Sequence, residues 1–258
     1  MDDKNQIGSL EKGLNILSLL SQRGSPIRLE ELTRITGMKK TTCFRFLQTL
    51  KRLNYVEQDP ESKKYWLGTR IISLGLSALN NLNIRKLALP FMKKLREETG
   101  ETVNLSVLDG TDIVFIERLQ SSFIVDSNLH VGSRLPVYCT SMGKAILAHL
   151  PEAKVEEILS QIHFEKRTEK TIVSPKSLRE ELKKVRARGF AINDQELEKG
   201  LYAVAAPILN HNGEAIAAMN ISFPSVRHPR EESIIVFSKM VLKACAEISS
   251  SLGFVQDR

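Results

Sequence analysis

The chain has 258 residues, 42% of them apolar, and a formal charge of +7, enough chain for one large or two smaller domains that fold without a disulfide or metal staple. Cys43, Cys139 and Cys245 stand about a hundred residues apart with no Cys-x-x-Cys motif, which argues against a disulfide framework or a structural zinc and fits a reducing, cytoplasmic setting. Acidic residues at the start oppose a secretory leader, and no apolar run approaches the ~18–20 residues of a membrane span, so neither a membrane nor a cofactor is expected as a partner.

The basic excess is uneven. Residues 1–83 carry 13 Lys/Arg against 8 Asp/Glu, whereas residues 84–258 carry 24 against 22. A basic first third on a nearly neutral body suggests a nucleic-acid-facing module.

The elements bear this out in order. Leu10, Leu14, Ile16, Leu17 and Leu20 recur at helical spacing behind Ser9, a plausible N-cap, and Gly24-Ser25-Pro26 ends that helix. A second helix runs from about Leu29 to Thr36, with Leu32 and Ile35 inward and Gly37 suited to the left-handed position that closes it. A third begins at Thr41 or Thr42 and continues to about Asn54. Steps of 100° place Cys43, Phe46, Leu47, Leu50 and Leu53 on one arc and Thr41, Arg45, Gln48 and Arg52 on the other. Strands at Tyr55–Gln58 and Lys64–Leu67 flank the turn Asp59-Pro60-Glu61-Ser62.

Helix, Gly turn, basic helix and hairpin within sixty residues is a winged helix-turn-helix arrangement. Such a third helix fits the DNA major groove, where arginine forks to guanine O6 and N7. The expected double-stranded DNA contacts are Lys39, Lys40, Thr41, Thr42, Phe44, Arg45, Gln48 and Arg52, with Lys51 beside them and Lys63 and Lys64 in the wing.

A helix from Thr69 to Asn83, apolar at Ile71, Ile72, Leu74, Leu76 and Leu79 with only Arg70 charged, must bury against something, and a partner chain suits it. Beyond it the pattern mixes a helix (86–98), strands (102–107 and 112–118), extended chain (123–137), a helix (140–150), two charged helical stretches, strands at 203–208 and 215–222 around the Asn212-Gly213 turn, and a final helix (229–252). The expected fold is α+β: residues 1–68 a winged helix-turn-helix, 69–83 a linker and dimerisation helix, 84–258 an α/β domain.

Several motifs together give the sequence a family likeness. They are Ser9-Leu10-Glu11-Lys12-Gly13-Leu14, Lys40-Thr41-Thr42-Cys43-Phe44-Arg45-Phe46-Leu47, Tyr65-Trp66-Leu67-Gly68, Gly132-Ser133-Arg134-Leu135-Pro136, Thr140-Ser141-Met142-Gly143-Lys144-Ala145 and Gly200-Leu201-Tyr202-Ala203-Val204-Ala205-Ala206-Pro207. In that order the chain, from residue 7 onward, resembles the IclR family of bacterial transcription regulators. The resemblance implies a GAF-like effector-binding domain that takes a small carboxylate, a homodimer or homotetramer, and an output that is more often repression.

Thr140-Ser141-Met142-Gly143 opens a helix, where amide groups and a hydroxyl can hold a carboxylate, although the same residues also serve as a plain cap. By matching motifs the resemblance adds Tyr138, Asn193, Ala203, Asn220 and Ser222 as effector contacts. Asn220 and Ser222 alternate on one strand face, and Ala203 departs from the polar or cysteine residue usual there. Parts of the effector half look like regulators of aromatic-acid catabolism through the β-ketoadipate route. Other parts look like pectin-degradation repressors sensing a keto-deoxy sugar acid. Tyr202, where the first group has arginine, weakens that likeness.

The enzyme alternative, a small-molecule enzyme domain with an appended helix-turn-helix, would need Cys139 with His130 or His149, or acid/base or metal work by Asp194, Glu196 and Glu198. A Walker loop, Gly-x-Ser-x-Gly and His-Glu-x-x-His are all missing from the sequence. No catalytic or metal-binding residue is therefore expected.

Overall fold

The computed structural model describes residues 7–121 and 129–254. The chain divides into two compact units, Met1–Asn81 and Leu82–Arg258.

In the first unit, α1 (Gly8–Arg23), α2 (Leu29–Thr36) and α3 (Lys40–Arg52) precede the antiparallel strands β1 (Val56–Gln58) and β2 (Tyr65–Leu67). Ile16, Leu20, Leu32, Cys43, Leu47, Val56 and Tyr65 form the core. Ile27 adds a backbone bridge to Tyr65, tying the α1–α2 connection to the wing. Gly24 and Gly37 end α1 and α2 in the left-handed conformation, where a Cβ is penalised.

Three details differ from the sequence reading. Ser9 lies inside α1, whose N-cap is Ile7. Leu10, Leu14, Ile35 and Leu53 are exposed, because helices this short bury only a narrow stripe against so small a core. The third helix starts earlier, at Lys40. Within this one chain the apolar helix α4 (Arg70–Asn81) buries none of its residues, and Ile72, Leu74 and Leu76 are more than half exposed.

The second unit holds α5 (Asn83–Thr99), β3 (Thr102–Asp109), β4 (Asp112–Leu119), β5 (Arg134–Pro136), a single 3-10 turn at Val137–Cys139, α6 (Ser141–Leu147), α7 (Glu152–Gln161), α8 (Pro175–Arg188), β6 (Ala191–Asp194), β7 (Leu201–Leu209), β8 (Ala215–Pro224) and α9 (Arg230–Ser251). The strands form one sheet in the order β5-β4-β3-β8-β7-β6, and every pairing is antiparallel. An all-antiparallel sheet with helices packed against it is an α+β arrangement. Helices α5 and α9 cover one face and α6 the other, with α8 packed on α6. Part of the extended chain expected over 123–137 lies outside the described residues. The expected helix 140–150 shortens to α6, and β6 is a strand the sequence reading did not anticipate.

Two devices set the face that carries the site. The register of β3 against β4 shifts between Leu105 and Ser106, so that Asn104 faces Arg118 while Ser106 faces Phe115. Such a bulge reverses side-chain parity along β4, bringing Arg118, Phe115 and Ile113 to one face although their numbers differ in parity. At α6, a Cβ on Gly143 would meet the Cα and carbonyl oxygen of Val137 at 2.4 Å. Only glycine lets that helix lie so close to the preceding turn. Gly143→Ala is expected to cost about 1–3 kcal/mol through forced backbone shifts, read as a lower urea midpoint with little change in slope.

Candidate functional site

Helix α3 presents Thr41, Arg45 and Arg52 as exposed side chains, with Phe44 beside them at 45% exposure. Thr42 and Gln48 are half-buried, and Gln48 bonds the phenol of the buried Tyr65, so the wing strand holds it. Lys39 is the N-cap and Lys40 the first helical residue, with no acid in the first turn and no capping side chain. That leaves an anion-receptive helix end. Lys40 Nζ rests 2.8 Å from Glu30, whose carboxyl that bond lowers below its ordinary pKa, and Lys51 Nζ donates to Gln58 at 3.1 Å. In the hairpin, the amides of Ser62 and Glu61 donate to Asp59 Oδ1 at 2.6 and 3.2 Å, and Lys63 takes a positive φ of 56°. Lys63 is exposed and Lys64 half-buried.

In the second unit a cavity of about 460 Å3 opens between the sheet and α6. Its floor is two successive rungs of the sheet. One rung runs Arg118, Asn104, Asn220, and the other Thr102, Ser222, Ala203, Asn193. Residues two apart on each strand share a face, so the polar side chains converge. Thr140, Ser141 and Met142 form the roof, Ile113, Phe115, Leu129 and Leu135 an apolar wall, and Glu101, Arg167, Leu197, Glu198, Leu201 and Pro224 complete the lining.

The floor is hydrogen-bonded in series. Arg118 Nη1 donates to Asn104 Oδ1 at 2.8 Å, Asn104 Nδ2 to Asn220 Oδ1 at 2.8 Å, and Asn220 Nδ2 reaches Ser141 Oγ at 3.5 Å. Burial lowers the Arg118 pKa from its ordinary value, but a guanidinium starts high enough to stay charged. At the edge, Glu101 is only 1% exposed and accepts from Arg227 Nε and Nη2 at 3.0 and 2.6 Å, with His228 Nε2 at 2.7 Å.

Seven of the nine expected effector residues line this cavity: Thr140, Ser141, Met142, Asn193, Ala203, Asn220 and Ser222. Tyr138 and Gly143 do not. The Tyr138 hydroxyl is spent on the backbone of Glu165, and its ring lies 5.0 Å from that of Phe164. The Gly143 amide donates to Thr140 Oγ1, and its Cα side abuts Val137. Thr140 is thus a true cap. Asn193 spends both ends of its amide on Cys139 O and the Glu196 amide. The sequence reading missed Glu101, Thr102, Asn104, Arg118 and Arg167. The alternation Thr102-x-Asn104-x-Ser106 was the signal that could have found three polar groups on one face of a buried strand.

Behind α6, Lys144 at 1% exposure pairs with Glu196, whose Oε2 lacks a hydrogen-bond partner. Burial raises the Glu196 pKa although Lys144 pulls it down. Asp194 pairs with Lys170 and Arg230, which hold its carboxyl below the usual range against the effect of burial. The three carboxylates of the 194–198 turn are thus spread apart. Burial pushes the Cys139 thiol up to about 12, an unreactive setting. Burial also lowers the pKa of His149, whose ring nitrogen sits 3.0 Å from Ala145 O. Among the described residues no group of acidic, His and Cys side chains is placed to hold a metal, and no helix is long and apolar enough to cross a membrane.

A winged helix-turn-helix unit in a chain that also carries a ligand-sized cavity defines a DNA-binding transcription regulator. The chain belongs to the IclR family: residues 9–60 match the IclR helix-turn-helix domain and residues 76–250 the C-terminal domain of bacterial transcriptional regulator IclR. It is 35% identical to the HTH-type transcriptional regulator KdgR of Escherichia coli over 97% of this chain and 94% of that one. It is 32% identical to the transcriptional repressor IclR of the same organism, covering 96% and 91%. Among solved structures, an IclR homolog from Microbacterium hydrocarbonoxydans, complexed with 4-hydroxybenzoate, superposes with a TM-score of 0.77 at 25% identity, covering 95% and 98%. These relatives are regulators, and the protein is a DNA-binding transcriptional regulator rather than an enzyme.

Proposed function

We propose that the protein is a repressor whose operator affinity is controlled by a small carboxylate bound in the second unit. The observation that carries this reading is the cavity floor, where a half-buried guanidinium and a run of amides and hydroxyls converge beneath Ser141. The floor's groups bond one another, and an acid with further oxygen atoms adds acceptors for the donors that remain on its amides and hydroxyls. Apolar Phe115 and Ile113 on one wall leave room for a ring or a carbon chain, and Glu101 at the edge can accept from a ligand hydroxyl. Hydroxylated aromatic acids and keto-deoxy sugar acids both meet this description. The Microbacterium relative's 4-hydroxybenzoate carries the same pairing of carboxylate and hydroxyl.

On the DNA side, Arg45 and Thr41 face the bases from the exposed arc of α3, Phe44, Gln48 and Arg52 flank them, and Lys39, Lys40, Thr42, Lys63 and Lys64 hold phosphates. Residues 1–68 act as the reading head, 69–83 as the linker and 84–258 as the sensor. The exposed apolar face of α4 is covered by a second copy of the chain, so the working form is a homodimer or a pair of dimers in the cytoplasm.

A thermal-shift panel tests the sensor. At ligand concentrations a hundredfold above Kd, binding adds about 2.7 kcal/mol and raises the melting point of the wild type. A flat response to aromatic, β-keto and sugar acids alike would remove the carboxylate reading.

A further inference from the structure

Arg118 and Asn104 have no role in the sequence-derived picture of the site, yet they control what its central hydroxyl can do. A guanidinium only donates. Because Arg118 Nη1 takes Asn104 Oδ1 at 2.8 Å, the Asn104 amide must turn its NH2 toward Asn220, which accepts at 2.8 Å through Oδ1. Asn220 is then obliged to present its own NH2 to Ser141 Oγ, 3.5 Å away. Each amide has one oxygen and one nitrogen, so a single donor-only group at one end sets the direction of the whole series. With its oxygen facing a donor, Ser141 has its proton left for the cavity.

We infer that Arg118 is a positioning residue which, through Asn104 and Asn220, fixes the Ser141 hydroxyl as a donor and so tunes the cavity to ligands that present an anionic oxygen. The inference rests on the carboxylate reading above and deepens it. It explains why two amides 116 residues apart in sequence are buried and bonded to each other where apolar residues would pack as well. It also assigns the β4 bulge a purpose, since without that extra residue Arg118 would face away from Asn104's partners.

The test is a double-mutant cycle read by calorimetric titration of the full-length protein with 4-hydroxybenzoate, β-ketoadipate and gluconate. Against whichever of these binds the wild type, Ser141→Ala is expected to weaken binding roughly tenfold or more, the worth of a hydrogen bond to a charged group. In Asn104→Asp the residue becomes acceptor-only, Asn220 must reverse, and Ser141 then donates to Asn220 Oδ1. The relay therefore requires that adding Ser141→Ala to Asn104→Asp cost nothing further, whatever the new charge does to affinity on its own.

Arg118→Lys, which keeps a donor-only group, should preserve the Ser141 contribution. Arg118→Met, which frees the amides to reverse, should reduce it, and this neutral series decides the matter if Asn104→Asp does not fold. An equal Ser141→Ala loss in all backgrounds overturns the relay while leaving the carboxylate reading intact. If none of the three acids binds the wild type, the carboxylate reading fails and the relay falls with it.

Discussion

Lys144→Met is expected to destabilise the second unit by about 3–5 kcal/mol near neutral pH, the cost of breaking a buried ion pair and stranding its partner. Lys144 and Glu196 are both buried, and Glu196 Oε2 already lacks a hydrogen-bond partner. Its folded pKa is raised by burial even with the lysine present, and losing the lysine must raise it further. A carboxyl whose folded pKa exceeds its unfolded value favours folding below the unfolded pKa and loses that contribution as pH rises through the folded one. The deficit of Lys144→Met relative to wild type should therefore shrink as pH falls from 8 toward 5. The double variant Lys144→Met/Glu196→Leu should recover most of the loss at pH 8, because no unpaired charge remains. Urea denaturation at both pH values checks this. A deficit that does not change with pH, and that the second substitution fails to repair, would mean that lost packing rather than a stranded carboxylate is responsible.

Arg45→Ala is expected to cost about 1–3 kcal/mol in operator affinity and to relax sequence preference at one base pair, as befits a fork that reads a guanine edge. Lys40→Ala should weaken all sequences alike and lower the salt slope by about one unit. The two residues differ in setting as well as chemistry. Arg45 is exposed at the middle of the polar arc, while Lys40 stands at the first helical position and already leans on Glu30. Binding of both variants to operator and scrambled DNA at two salt concentrations separates the roles. Equal losses on every sequence for both variants would remove Arg45 from base reading.

Much of the first unit was legible because its signals are local. The Gly37 stop, the two arcs of α3 and the hairpin around Asp59 each follow from residues within one turn of each other. The exposed leucines of α1 were misjudged for a related reason: periodicity locates an apolar face but not how much of it a small core can cover. In the second unit, the family resemblance pointed to Asn220 and Ser222, whose alternation puts both on one strand face, and the Asn212-Gly213 turn located β7 and β8. Arg118 escaped because the bulge breaks the parity that links it to Phe115 and Ile113. Asn104 escaped because its meaning lies in a partner on β8, and Lys144 because its partner is 52 residues away. The four-residue β6 carries no turn signal strong enough to mark it. Gly143 was expected at the ligand, but what lies against it is the backbone of Val137.

The central claim is that occupancy of the cavity changes DNA affinity, and an effector can do this only by binding the two DNA-related states unequally. The most direct measurement is titration of a DNA site, selected by the protein itself from a random library, with and without an acid shown by thermal shift to saturate the second unit. A coupling of about 1–3 kcal/mol, or roughly 5- to 150-fold in operator Kd, is the expected result, with scrambled DNA changing far less. An operator Kd unaltered by an acid that demonstrably fills the cavity would contradict the account.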